Sequence, residues 1–93
     1  MDGITFASRK EARRYRQLKL LEDANAIQDL QIQVKFPIIK KSQYGREIRY
    51  IADFVYLEDG KIVVEDTKGY RTDVYKLKKR LMAEVHGIEI KEI

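Results

Sequence analysis

The alternation of apolar and polar positions divides the chain into six elements. In residues 8–24 the apolar side chains Ala12, Tyr15, Leu18 and Leu21 recur at helical spacing, which predicts an amphipathic helix with one buried face. Ser8 stands at the N-cap, and Glu11 three residues on completes a capping-box pattern. Residues 30–36 alternate strictly and predict a strand with one buried face, which Pro37 either ends or places at a sheet edge. Residues 38–47 are polar and read as a loop or short hairpin arm. Two runs rich in β-branched and aromatic residues, 50–57 and 61–69, then flank Asp59-Gly60, the dipeptide of a tight hairpin. Thr72 caps a second helix with Asp73 in its first turn; its predicted apolar stripe is Val74, Leu77, Leu81, Met82 and Val85, with Lys78 inside the stripe. His86-Gly87 stops that helix, and residues 88–93 alternate as a short last strand. The order helix, three strands, helix, strand predicts one α/β domain over residues 1–93, with a helix on each side of the sheet.

The hairpin carries the candidate chemistry. A two-residue type I′ turn at Asp59-Gly60 pairs Glu58 with Lys61, Leu57 with Ile62 and Val55 with Val64, and by the same count sets Asp53 opposite Asp66. Ile51, Val55, Leu57, Ile62 and Val64 then form one aliphatic face, and the two acids are expected to share it. Like charges directly opposite one another in an antiparallel pair are destabilising, and a divalent cation between them would offset the repulsion. Lys68, two residues past Asp66, falls on the same side by strand alternation. Asp53, Asp66 and Lys68 thus make a metal and phosphate constellation. A purely structural reading has Asp53 paired with Lys68 or Arg49 as a salt bridge at a sheet end. Glu11 falls inside the apolar arc of the first helix, between Tyr15 and Leu18, and has two readings, a capping-box partner or a carboxylate aimed at the site.

Composition narrows the possibilities. The 93 residues contain no cysteine, which removes disulfides and thiolate metal sites, and a single histidine, His86, which removes multi-histidine zinc sites. No run reaches transmembrane length and the N-terminus lacks the layout of a signal peptide, so the expectation is a cytoplasmic protein with no membrane partner. The net charge of +4 is unevenly spread: residues 1–20 hold six Lys/Arg against two acids and residues 68–80 six against one, whereas residues 21–67 hold six against nine. Cations on two helices flanking an acidic hairpin form the electrostatic footprint of a polyanion binder. The candidate DNA contacts are Arg9, Lys10, Arg13 and Arg14 on the first helix and Lys76, Lys78, Lys79 and Arg80 on the second.

This order of elements, with an acid in the second strand and an acid-x-Lys at the end of the third, resembles the PD-(D/E)XK nuclease superfamily. Its small phage-borne members near the Holliday junction resolvases, among them a phage family described as a domain of unknown function, are the most similar. The resemblance runs from Ser8-Arg9-Lys10-Glu11-Ala12 through Ile51-Ala52-Asp53-Phe54 and Val64-Glu65-Asp66-Thr67-Lys68-Gly69 to the helix at Asp73-Val74-Tyr75-Lys76-Leu77-Lys78. It implies a restriction-endonuclease-like αβββαβ core with a mixed sheet, and Mg²⁺- or Mn²⁺-dependent endonucleolytic hydrolysis of DNA, branched or junction DNA included. By position, Asp53 takes the role of the first metal-binding aspartate, Asp66 that of the second acid, Lys68 that of the catalytic lysine and Glu11 that of the first-helix glutamate, with the Thr67 carbonyl a further metal ligand. The second acid of the family is more often Glu, and Glu65 is expected on the opposite face. A homodimer cutting two strands fits the small size of the domain. The alternative function is a non-catalytic phage DNA-binding module.

Overall fold

In the computed structural model, which describes residues 3–67 and 71–93, the Ser8 hydroxyl oxygen accepts from the Glu11 backbone N–H at 3.1 Å and opens helix α1, Arg9–Asp23. The chain leaves α1 through Asn25, whose left-handed φ of 61° asparagine tolerates, and enters strand β1, Gln28–Ile39. Strands β2, Ile48–Glu58, and β3, Lys61–Asp66, follow, then helix α2, Asp73–His86, and the two-residue strand β4, Lys91–Glu92. The sheet order is β1-β2-β3-β4, antiparallel except for the parallel β3–β4 pair, and α2 is the crossover that a parallel pair requires. The fold is an α/β αβββαβ arrangement on a mixed sheet. No helix of the described residues is long and apolar enough to cross a membrane.

The hairpin register is the expected one. Glu58 pairs with Lys61, Leu57 with Ile62 and Val55 with Val64, and the positive φ angles of Asp59 (53°) and Gly60 (76°) are those of a type I′ turn. Pro37 does not end β1. It lies on the edge strand β1, where proline is tolerated, opposite Arg49 of β2, and β1 continues to Ile39.

The single aliphatic face does not survive, because strand alternation breaks in the middle of the β1–β2 ribbon. Phe54 and Tyr56 pack with Tyr15, Leu18 and Ile27 in the core under α1, whereas Tyr50 and Ala52, of the same parity, pack with Ile38, Val64, Tyr75, Met82 and Ile90 in the core under α2. Between the pairs Ile32–Phe54 and Val34–Ala52 lies Gln33, with a left-handed φ of 51°, opposite Asp53. Ile32 packs in the α1 core and the next residue, Gln33, bonds to Glu11 of α1, so two consecutive side chains leave on one side. Ile51, expected on the aliphatic face, is exposed.

Helix α2 is also rotated from its predicted stripe. Val74, Leu77 and Val85 are 63%, 57% and 52% exposed, Leu81 is half-buried, and the buried line is Tyr75 and Met82. A tyrosine ring removes more apolar surface from water than a valine, and here its hydroxyl finds a partner in Glu92 at 2.8 Å. On α1, Leu21 is largely exposed, while Glu11, Tyr15 and Leu18 are buried. The last strand shrinks from residues 88–93 to Lys91–Glu92, anchored where the Ile93 N–H donates to the Asp66 carbonyl at 3.0 Å.

Candidate active site

The candidate site lies where the β2–β3 ladder ends. The last ladder pair is Phe54–Glu65, and the next position in that register sets Asp53 against Asp66. Beyond it, the backbone bond of a continuing ladder gives way to a side-chain one: Asp53 Oδ2 accepts from the Thr67 N–H at 2.9 Å and from the Thr67 hydroxyl at 2.8 Å. Asp53 is half-buried, and among the described residues no donor reaches its Oδ1. Asp66 is fully buried and accepts from the Tyr50 hydroxyl. Burial, then that bond and the Asp66 charge, with smaller contributions from Tyr75 and Asp53, push the Tyr50 phenol far above its ordinary value, so it stays protonated and donates to Asp66.

Glu11 is buried on α1, and its Oε1 accepts from Gln33 Nε2 at 3.0 Å. The Ser8 hydroxyl caps the helix, and the Glu11 carboxylate reaches inward to Gln33 of β1, the residue that lies opposite Asp53 in the β1–β2 register. Lys68 lies outside the described residues.

Glu65 points away from Asp66, as alternation requires, into the α1 core. Arg14 grips it with both ends of its fork, Nε at 2.8 Å and Nη2 at 2.7 Å, and the Tyr56 hydroxyl donates to the same carboxylate. The hydrogen bond to Glu65 raises the Arg14 guanidinium further, so the arginine keeps its charge. Arg14 is therefore not a free DNA contact but the ion partner of a buried acid. Sequence reasoning missed this pair; its signal was an acid in an apolar strand, which needs a cation, together with an arginine adjacent in sequence to the buried Tyr15. Arg9, Lys10 and Arg13 are exposed along α1, and Lys76 along α2. Lys78 is half-buried, Arg80 pairs with Glu84 at 3.1 Å on the surface, and Lys79, a candidate DNA contact, bonds to Glu92 at 3.1 Å.

Residues 1–92 match a sequence family described as a protein of unknown function, DUF1064. The chain belongs to that family. No curated protein and no solved structure matches it.

The donor set of this DUF1064 chain is made of hard oxygens. Among the described residues no group of three or more His, Cys, Asp or Glu side chains converges on a metal position, so Asp53, Asp66 and Glu11 do not form a preassembled three-acid cage. Two carboxylates and a carbonyl with waters are nevertheless what Mg²⁺ asks for, since it keeps several waters and takes one or two carboxylates. The oxygens of Asp53, Asp66 and the Thr67 carbonyl are of the kind that would hold such an ion, and Glu11, which accepts from Gln33, would reach it only through water.

Proposed function

We propose that the chain is a metal-dependent endodeoxyribonuclease that hydrolyses phosphodiester bonds in DNA. The observation that carries this reading is the register, which sets Asp53 against Asp66 where the ladder opens and Thr67 turns to Asp53. A divalent cation held there would neutralise phosphate charge and lower the pKa of a bound water. The chain's own residues do the rest. The two Thr67 bonds fix the Asp53 carboxylate and leave Oδ1 for a ligand, Tyr50 orients Asp66, and Lys68 is assigned the positioning of the attacking water. The exposed cations Arg9, Lys10, Arg13 and Lys76 hold the DNA backbone, an interaction that weakens steeply with salt.

The test is incubation of the protein with branched, nicked and linear DNAs in Mg²⁺, Mn²⁺ or EDTA, beside the Asp53→Asn variant. Cleavage in either metal, absent in EDTA and in the variant, is expected; cleavage by Asp53→Asn at the wild-type rate refutes the site. The full burial of Asp66 and its bond to Tyr50 favour a second reading, a DNA-binding module whose acids are structural. That reading expects salt-dependent DNA binding with no metal-dependent cleavage.

A further inference from the structure

A concavity of about 400 Å³ lies between α2 and β4, where Glu92 is the sheet partner of Asp66, and is lined by Arg71, Tyr75, Lys76, Lys79, Arg80 and Glu92 with Ala83. Four cations and one acid converge there, and the acid is already neutralised. Glu92 accepts from Tyr75 at 2.8 Å and pairs with Arg71 at 2.9 Å and Lys79 at 3.1 Å. These bonds leave the cleft with a surplus of positive charge. They also hold Arg71 and Lys79 in place: a guanidinium has five N–H donors and an ammonium three, so each keeps donors for a ligand after serving Glu92. Ordering two flexible cations in advance lowers the entropic cost of binding an anion between them. Among the described residues Arg80 is tied to Glu84 in a surface pair, worth at most about 1 kcal/mol, which a ligand in the cleft can displace.

We propose that this cleft binds the terminal phosphate of a nucleic-acid strand. The volume falls in the range of small-ligand sites, roughly 300–1,000 Å³, and suits one nucleotide-sized group. A terminal phosphate carries about −1.5 to −2 charge at neutral pH against −1 for an internal phosphodiester, which matches the surplus better. A strand end can enter a concavity from one side, whereas a continuing backbone has to enter and leave. The assignment rests on the reading of the chain as a DNA-binding protein, but not on its catalysis.

The experiment is fluorescence anisotropy of the full chain in EDTA with 5′-phosphorylated, 3′-phosphorylated and unphosphorylated single-stranded oligonucleotides of one sequence, with inorganic phosphate and a mononucleotide as competitors. The wild type is expected to prefer a phosphorylated end by about tenfold, one charge-assisted bond's worth, and the doubly substituted Arg71→Ala, Lys76→Ala protein to lose the preference. Both side chains are exposed, so the fold is retained, which circular dichroism checks. No preference in the wild type, a preference retained in the double variant, or inorganic phosphate competing as well as the oligonucleotide would overturn the proposal. Because the measurement excludes metal, a protein that binds ends and never cleaves sinks the nuclease reading alone.

Discussion

Arg14→Ala separates the two roles an arginine on a basic helix can have. If Arg14 served the DNA backbone, its loss would leave folding untouched. The structure instead has it bidentate on Glu65, a carboxylate with no exposure, while the Arg14 side chain keeps 17%. Removing one partner of a buried pair costs roughly 3–5 kcal/mol, because the other charge is left behind. The residual exposure and the remaining Tyr56 bond put this site at the lower end, about 3 kcal/mol. For a domain of this size each kcal/mol moves the midpoint by roughly 4–8 °C, so Tm should fall by about 12–24 °C. Thermal and urea melts followed by circular dichroism measure it, and the loss should persist in high salt, since a buried pair is poorly screened. The double variant Arg14→Met, Glu65→Leu should recover much of the loss, because replacing both partners with apolar groups removes the stranded charge. A single variant melting within a few degrees of wild type would refute the reasoning.

Three further outcomes are expected. Leu77→Lys should change stability by no more than about 0.5 kcal/mol, as for a surface position; a loss of several kcal/mol in a urea melt would restore the predicted stripe as core. Glu11→Gln keeps the Ser8 cap and an acceptor for Gln33, so the variant should remain folded without metal; saturating Mg²⁺, which at about 100-fold over Kd adds about 2.7 kcal/mol, should stabilise wild type more than the variant, and equal shifts would make Glu11 a helix residue only. Tyr75, Lys79 and Arg71 hold the Glu92 carboxyl below its ordinary 4.5, so its contribution is present above that pH and is lost as pH falls through the lowered value; Glu92→Gln should therefore flatten the acid limb of a stability–pH curve, and superimposable limbs below pH 4.5 would contradict the pairing.

What was legible in the sequence was local. The caps at Ser8 and Thr72, the left-handed Gly87 that closes α2 and the type I′ turn at Asp59-Gly60 each follow from a few adjacent residues. The register followed from the turn as far as Phe54–Glu65, one step short of Asp53 and Asp66. What was not legible depends on contacts between distant segments. Arg14 and Glu65 are 51 residues apart, and nothing in the helical period distinguishes an arginine at the edge of a buried arc from a solvated one. The orientation of α2 was misread because Val74, Leu77, Leu81 and Val85 make a cleaner stripe than Tyr75 and Met82; the choice turns on Glu92, which lies after the helix and offers the tyrosine hydroxyl a partner.

The break at Gln33 and Asp53 follows from the burial of two consecutive acids. Glu65 and Asp66 are adjacent on β3, point to opposite faces, and are each fully buried, so both cores must supply polar donors. Strand β2 supplies a tyrosine hydroxyl to each: Tyr56 to Glu65 under α1 and Tyr50 to Asp66 under α2. Those tyrosines are six residues apart, and an unbroken strand would put them on one face, leaving one acid without its hydroxyl. Switching faces between them satisfies both. The left-handed Gln33 costs of order 1–3 kcal/mol, which a buried acceptor left unmet would match, and a charged one exceed. The switch also explains where the candidate site sits. At the point of reversal Asp53 is released from the ladder, turns its carboxylate to Thr67, and brings Gln33 within reach of Glu11, so the same irregularity that buries the two acids assembles the half-exposed one.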